Sequence, residues 1–403
     1  MLMIKNQIKK VAFTWPNGYY NDGIKLGIGV SDKLDFGYLV SEVPANAAGT
    51  YTTNQFQAAP TKLTKTMINQ DHQLQAVVMN SAIANSCTGA QGEADAHEEQ
   101  QLVTDKLQLD PSLVGVASTG LIGAFLPMDK IKQGIAQLSP HHGDNVTRAV
   151  MTTDKQPKHA CVQLEMAGKK VTITGFAKGS GMIHPKMATM LGFVTTDAAV
   201  DGDFLQQMLS QNVDTTFNQI TVDGDTSTND MVVVMANGKA DTPELTSVDD
   251  ADYEAFNTGL HTVLGELAKQ IAADGEGATK LVECNVSGAL NEMEGQEVAK
   301  AIVGSNLVKA AVFGQDPNWG RIIATVGNTT AHVDTEHVAI MVNDVPMVAD
   351  SVAVPFDEQA ASQKMGADKV VIDVDLHAGD ATGQAWGCDL TYNYVKINAS
   401  YHT

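Results

Sequence analysis

Between Thr172 and Asp197 the chain reads T-I-T-G-F-A-K-G-S-G-M-I-H-P-K-M-A-T-M-L-G-F-V-T-T-D, and no other stretch constrains its fold more. Val171 to Ala177 alternates as a strand does. Gly179, Gly181 and Pro185 then break any helix or central strand. Ala188 and Thr189 lead directly into a second apolar run, so two strands must flank a tight turn that carries hydroxyls. Such a turn can be a plain surface loop. It can also be chemical, because a threonine becomes a nucleophile when a base stands beside it.

In the chemical reading, Thr189 attacks the carbonyl of Ala188, the bond rearranges to an ester, and water resolves it into chains 1–188 and 189–403. The released α-amine titrates near pH ~8, about two units below a lysine, and can take the proton of the neighbouring hydroxyl. Lys178, eleven residues before Thr189, could hold a substrate carboxylate, add positive field or simply be solvated.

The rest of the chain alternates strand and helix signals. Strands are expected within Ile24–Val30, at Gln75–Met79, Leu113–Ala117 and Met231–Ala236, and along the alternating tail Thr391–Ile397. Helices are expected at Asp95–Leu107, after Pro127 with Ile131, Ile135 and Leu138 on one face, around Phe204–Leu209, at Phe256–Ile271 and over 296–309. G-Q-D-P-N-W-G-R-I at 314–322 reads as a turn in which Arg321 could clamp a carboxylate or brace Asp316. The acidic stretch 241–254 reads as a mobile surface insertion. G-I-G-V-S-D at 27–32 has two glycines of a dinucleotide loop and lacks the third.

Charge narrows the partners. A net charge of −21, a pI near 4.7 and only two arginines, Arg148 and Arg321, argue against nucleic acid and anionic membranes. His141 and His142 lack further ligands at metal spacing, so no metal is expected and they are read as solvent-exposed. V-D-G-D-T-S-T-N-D at 222–230 fails as a calcium loop, because Thr228 and Val234 stand where Gly and Glu are needed. Its hydroxyls are expected to bond backbone and hold the new chain end. The four cysteines are read as reduced, buried thiols. With no secretion signal or membrane span, a cytoplasmic protein is expected.

The run K-G-S-G-M-I-H-P-K-M-A-T-M resembles the self-cleaving centre of the ornithine acetyltransferase family, also called glutamate N-acetyltransferase. Further matches follow in order: N-Q-F-Q-A-A-P at 54–60, S-T-G-L-I-G at 118–123, M-T-T-D at 151–154, F-N-Q-I-T-V-D-G-D-T-S-T-N-D at 217–230, D-G-E-G-A-T-K at 274–280, G-Q-D-P-N-W-G-R-I and the C-terminal seventeen residues. They span essentially the whole chain. At 80–85 the family usually shows N-S-G-N-A-N, whereas here Ala82 and Ile83 replace Gly and Asn. Ala is tolerable there only at negative φ.

The resemblance implies an α/β protein of layered, mixed sheets: a self-processing N-terminal-threonine acyltransferase with the aminopeptidase and ornithine acetyltransferase type of fold. Residues 1–188 would form an alpha chain and 189–403 a beta chain, with a smaller α/β region at about 285–403. It implies Thr189 as nucleophile, cleavage after Ala188, and Thr119 and Gly120 as oxyanion donors by hydroxyl and backbone N–H. Thr152 or Thr153, Lys178, Glu276, Asn398 and Thr403 would contact substrate, with Glu276 pairing the ornithine ammonium. The expected substrates are N2-acetyl-L-ornithine and L-glutamate, without a cofactor, in an alpha2-beta2 heterotetramer serving arginine biosynthesis. A bifunctional enzyme that also uses acetyl-CoA is the near alternative. A self-processing aminopeptidase or a non-enzymatic binding protein is the remote one.

Overall fold

The computed structural model describes residues 8–29, 32–143, 145–184 and 190–400. Among them, nine strands form a mixed sheet in the order Lys9–Lys10, Lys158–Met166, Lys169–Lys178, Leu191–Thr196, Met231–Ala236, Phe36–Tyr51, Gln73–Asn80 and Val114–Ser118, with Tyr19–Ile24 also paired to Phe36–Tyr51. Leu191–Thr196 runs antiparallel to Lys169–Lys178 and parallel to Met231–Ala236, with Leu191 opposite both Lys178 and Met231. The residues on either side of the central turn therefore enter the sheet side by side.

Helices cover both faces, which is why the central strands read as unbroken apolar runs. Along Met231–Ala236, Val232 and Val234 pack with Leu260, Leu264, Leu267 and Ile271, while Met231, Val233 and Met235 pack on the opposite face with Phe176 and Phe193. Tyr253–Ala273 buries the predicted apolar face from Phe256 to Ile271 and stops at Asp274. It thereby delivers Glu276 to the end of the sheet.

A second mixed sheet of six strands runs Val352–Ala353, Val345–Ala349, Ala339–Val342, Lys369–Asp375, Leu281–Ala289 and Ala381–Cys388, with its own core. The chain is thus α/β with mixed sheets. Among the described residues no helix is long and apolar enough to cross a membrane. None of the four cysteines forms a disulfide, and Cys87 is exposed rather than buried.

Several local expectations fail, each for a physical reason. The tail Thr391–Ile397 is not a strand: Tyr392–Asn398 is a helix, capped by the Thr391 hydroxyl accepting from the Asn393 N–H. The helix expected over 296–309 is two, Glu292–Gly304 and Asn306–Phe313, because Ser305 leaves helical geometry and caps the second. Only the first part of 314–322 is a turn, since Asn318 caps a helix Trp319–Val326. Arg321 there donates to the Leu307 carbonyl at 2.8 Å, and among the described residues it pairs with no carboxylate, Asp316 included.

Upstream, the strand ends at Ile24, and the Asp35 carboxylate takes the N–H groups of Leu26, Ile28 and Gly29. Those amides are not free to cradle a phosphate, so the partial dinucleotide pattern is structural. The 241–254 stretch is tethered rather than a free insertion: Leu245 is buried and bonds Ala199 and Asp201 through its backbone. His141 is exposed as expected, yet paired at 2.8 Å with Asp22.

Candidate active site

Strand Lys169–Lys178 ends by carrying Lys178 to the end of the sheet, and the following turn is held residue by residue. The Gly179 N–H donates to Asp154 at 2.8 Å, and the Ser180 hydroxyl to the Asp274 carbonyl at 2.7 Å. Asp223 accepts the N–H of Met182 at 2.6 Å and of Ile183 at 2.8 Å. The Thr226 hydroxyl donates to the His184 carbonyl at 2.8 Å. In this loop Thr226 bonds backbone as expected, but Thr228 donates instead to Asn229 Oδ1, and the Asp223 carboxylate does much of the holding. Ala188 and Thr189 lie outside the described residues, as does Thr403. The next residue, Met190, is buried, and its carbonyl accepts the Met231 N–H at 2.9 Å.

This turn borders a cavity of about 250 Å³, into which six of the expected site residues converge: Thr119, Gly120, Thr152, Lys178, Glu276 and Asn398. Thr153 lines it as well, so both candidate threonines reach the space. A larger groove of about 860 Å³, between helix Tyr253–Ala273 and strand Ala381–Cys388, contains none of the six.

Thr119 and Gly120 follow directly on strand Val114–Ser118. Lys178 Nζ donates to Thr119 Oγ1 at 3.2 Å. Gly120 has φ +124°, and a Cβ there would stand 2.2 Å from the Ala82 carbonyl oxygen, so only glycine fits. The neighbouring N–H groups are used, Thr119 by Asn80 and Leu121 by Ala82, whereas among the described residues the Gly120 N–H has no acceptor. Ala82 is absent from the positive-φ residues, which meets the condition set for replacing glycine.

Opposite, the turn after helix Tyr253–Ala273 presents Glu276. Its carboxyl lies over Gly181, where a Cβ would come within 2.4 Å of the carboxyl carbon. The C-terminal helix closes on this turn through the Thr391 hydroxyl, which donates to the Gly277 carbonyl at 2.7 Å, and Asn398, which donates to Glu276 at 2.8 Å.

Burial dominates the electrostatics. It pushes the Lys178 ammonium below the ordinary lysine range, against the pull of Asp154, Asp230 and Glu276. Burial also lifts the Asp230 carboxyl well above the carboxylate range, and its Oδ2 has no partner among the described residues. Asp154 moves the other way, because Lys158, Lys178 and two hydrogen bonds outweigh its burial. A buried cation, a hydroxyl and an unused backbone N–H along one wall are suited to negative charge on oxygen. The carboxylate side is suited to an ammonium. Among the described residues no cluster of His, Cys, Asp or Glu is arranged to hold a metal.

Sequence reasoning missed Asp223 and Asp230, which line the cavity, and Asp154, Lys158 and Asp274 behind it. Four of them sit inside motifs already read, M-T-T-D, D-G-E-G and V-D-G-D-T-S-T-N-D, where runs of polar residues between apolar strands were the available signal.

Comparison with known proteins gives a consistent picture. The model of the ArgJ family matches residues 20–403. The arginine biosynthesis bifunctional protein ArgJ of Lactiplantibacillus plantarum is 65% identical over 402 residues, covering 100% of both chains. The protein of the same name from Streptococcus mutans is 50% identical over 389 residues, 96% of this chain and 98% of its own. Among solved structures, the Bacillus halodurans arginine biosynthesis bifunctional protein ArgJ is 52% identical with a TM-score of 0.52, covering 53% of this chain and 100% of that one.

Proposed function

The chain belongs to the ArgJ family, and from that premise we propose that it moves an acetyl group from N2-acetyl-L-ornithine to L-glutamate through an acetyl ester on Thr189. The observation that carries this reading is the single cavity in which Thr119, Gly120 and Lys178 face Glu276 and Asn398. One end is built for a developing oxyanion and the other for a substrate ammonium.

Cleavage of the Ala188–Thr189 bond first gives chains 1–188 and 189–403, the second containing the smaller α/β region at about 285–403. The coverage of the Bacillus halodurans protein supports this. A whole crystallised chain of that relative answers to 53% of this one, the fraction that residues 189–403 make up, 215 of 403.

The Thr189 hydroxyl, its proton taken by its own α-amine, then attacks the acetyl carbonyl. The tetrahedral oxyanion is met by the Thr119 hydroxyl and the Gly120 N–H. The C–N bond breaks, the α-amine returns its proton to the leaving nitrogen, and ornithine departs. Glutamate's neutral amine attacks the ester by the reverse path, and N-acetylglutamate leaves with Thr189 free. Lys178, Thr152 and Thr403 hold the amino-acid carboxylates, and Glu276, steadied by Asn398, holds the side-chain ammonium of ornithine.

The relatives' name, bifunctional, favours a second activity, synthesis of N-acetylglutamate from acetyl-CoA and glutamate. The same acetyl-threonine serves both donors. We place the protein in the cytoplasm as an alpha2-beta2 heterotetramer, with no metal or cofactor. Purified protein incubated with glutamate and either acetylornithine or acetyl-CoA should yield N-acetylglutamate in both cases. Product from acetylornithine alone refutes the second activity, and product from neither refutes the reading.

A further inference from the structure

Behind the cavity lies a charged cluster that the proposed chemistry does not use. Lys158 is fully buried, with Nζ 2.5 Å from Asp154 Oδ1 and 2.7 Å from Asp274 Oδ2. Desolvating such a cluster is costly, so its presence is weak testimony to stability and calls for another role.

Each carboxylate has further engagements. Asp154 accepts the Gly179 N–H at 2.8 Å and the Thr152 N–H at 3.0 Å. Asp274 accepts the Lys155 N–H at 3.0 Å, and its carbonyl accepts the Ser180 hydroxyl at 2.7 Å. The Ser180 carbonyl in turn accepts the Glu276 N–H at 2.8 Å. Three segments distant in sequence are thus fastened to one ammonium, and they carry Thr152, Lys178 and Glu276 into the cavity.

Charge adds a second constraint. Two carboxylates and one ammonium leave an excess negative charge, and Lys178 is the buried cation that faces it. The groups acting on Lys178 are Asp154, Asp230 and Glu276, which favour its charged form, and Lys158, which opposes it.

We propose that Lys158 is a positioning residue for the transfer reaction: clamped between Asp154 and Asp274, it keeps three walls of the cavity in register and sets the charge that Lys178 feels. This rests on the acetyl-transfer reading of the cavity. A misplacement of about 1 Å at such walls costs on the order of a hundredfold in rate.

The test compares Lys158→Met, Lys158→Arg and Asp154→Asn in the full-length protein. Lys158→Met should lower kcat about 10- to 100-fold with a smaller change in KM. It removes a like charge, so the alkaline limb of kcat/KM, where Lys178 loses its proton, should move to higher pH. Asp154→Asn removes an opposite charge, and the limb should move to lower pH. Lys158→Arg should restore the wild-type limb whatever its kcat. Limbs unmoved in Asp154→Asn, or displaced in the same direction by both charge-removing variants, overturn the proposal. If Lys158→Met does not fold, the Asp154→Asn and Lys158→Arg limbs still decide it. NMR titration of the labelled Lys178 side chain reads the same shifts without turnover. A wild type inactive with every donor would therefore sink the functional reading while leaving this inference decidable.

Discussion

Asn398 Nδ2 donates to Glu276 Oε2 at 2.8 Å, although 122 residues separate them in sequence. The contact joins the C-terminal helix to the turn that closes helix Tyr253–Ala273, and both residues line the cavity. None of the residues of the C-terminal helix is buried, Tyr392 is 84% exposed with its ring edge-on to Phe313, and the Tyr394 side chain bonds Asp223. The helix's geometry makes sense as a carrier of Tyr394 and Asn398, four residues apart on the face toward the cavity.

Asn398→Ala leaves Glu276 without this donor and loosens the helix. The KM for acetylornithine should rise about tenfold with little change in kcat, since a hydrogen bond to a charged group is worth roughly 1.5–3 kcal/mol. Steady-state kinetics checks it, and an unchanged KM removes Asn398 from the substrate site.

Thr119→Ala deletes the proposed oxyanion donor at a small, buried position. We expect kcat to fall on the order of a hundredfold, with Tm lowered by the loss of the acceptor for the buried Lys178 ammonium. Gly120→Ala should also lower Tm, because the new Cβ meets the Ala82 carbonyl. Kinetics and thermal unfolding of the pair separate lost chemistry from lost packing.

Much of this site was legible because its residues stand in short polar motifs at the ends of apolar strands. Met231–Ala236 is a strand with the expected bounds, since six consecutive apolar residues between polar loops leave few alternatives. The tail misled because Tyr392, Tyr394 and Val395 favour strands intrinsically, whereas the decisive interactions, Thr391 to Gly277 and Asn398 to Glu276, are long-range. The breaks at Ser305 and Asn318 were visible in principle as cap residues preceding apolar runs. The Asp154–Lys158–Asp274 cluster was not, because nothing local distinguishes a buried lysine from a solvated one.

A group far from the cavity gives a stability prediction. Glu99, on helix Gly89–Leu107, is 1% exposed with Oε1 unpartnered among the described residues, and burial, helped by the nearby Asp95 charge, pushes its carboxyl up to about 8. The folded state then keeps a proton that the unfolded chain releases near the ordinary value of 4.5. Stability should therefore decline as pH rises from 4.5 toward about 8 and level off above it. Glu99→Gln cannot ionise, so it should be the more stable protein at pH ~8, by on the order of a few kcal/mol, and should converge on the wild type near pH ~4.5. Denaturation midpoints across pH test this, and parallel curves would contradict it.

Thr189 is proposed to head a second chain and to carry the acetyl group. Intact-mass spectrometry of the purified protein, incubated with acetylornithine and no acceptor, tests it most directly. The account predicts two chains divided between Ala188 and Thr189, the second heavier by one acetyl group that glutamate removes, and a single unmodified 42.7 kDa chain from Thr189→Ala. A fully active wild-type preparation that remains one chain, or whose second chain never gains that mass, would contradict it.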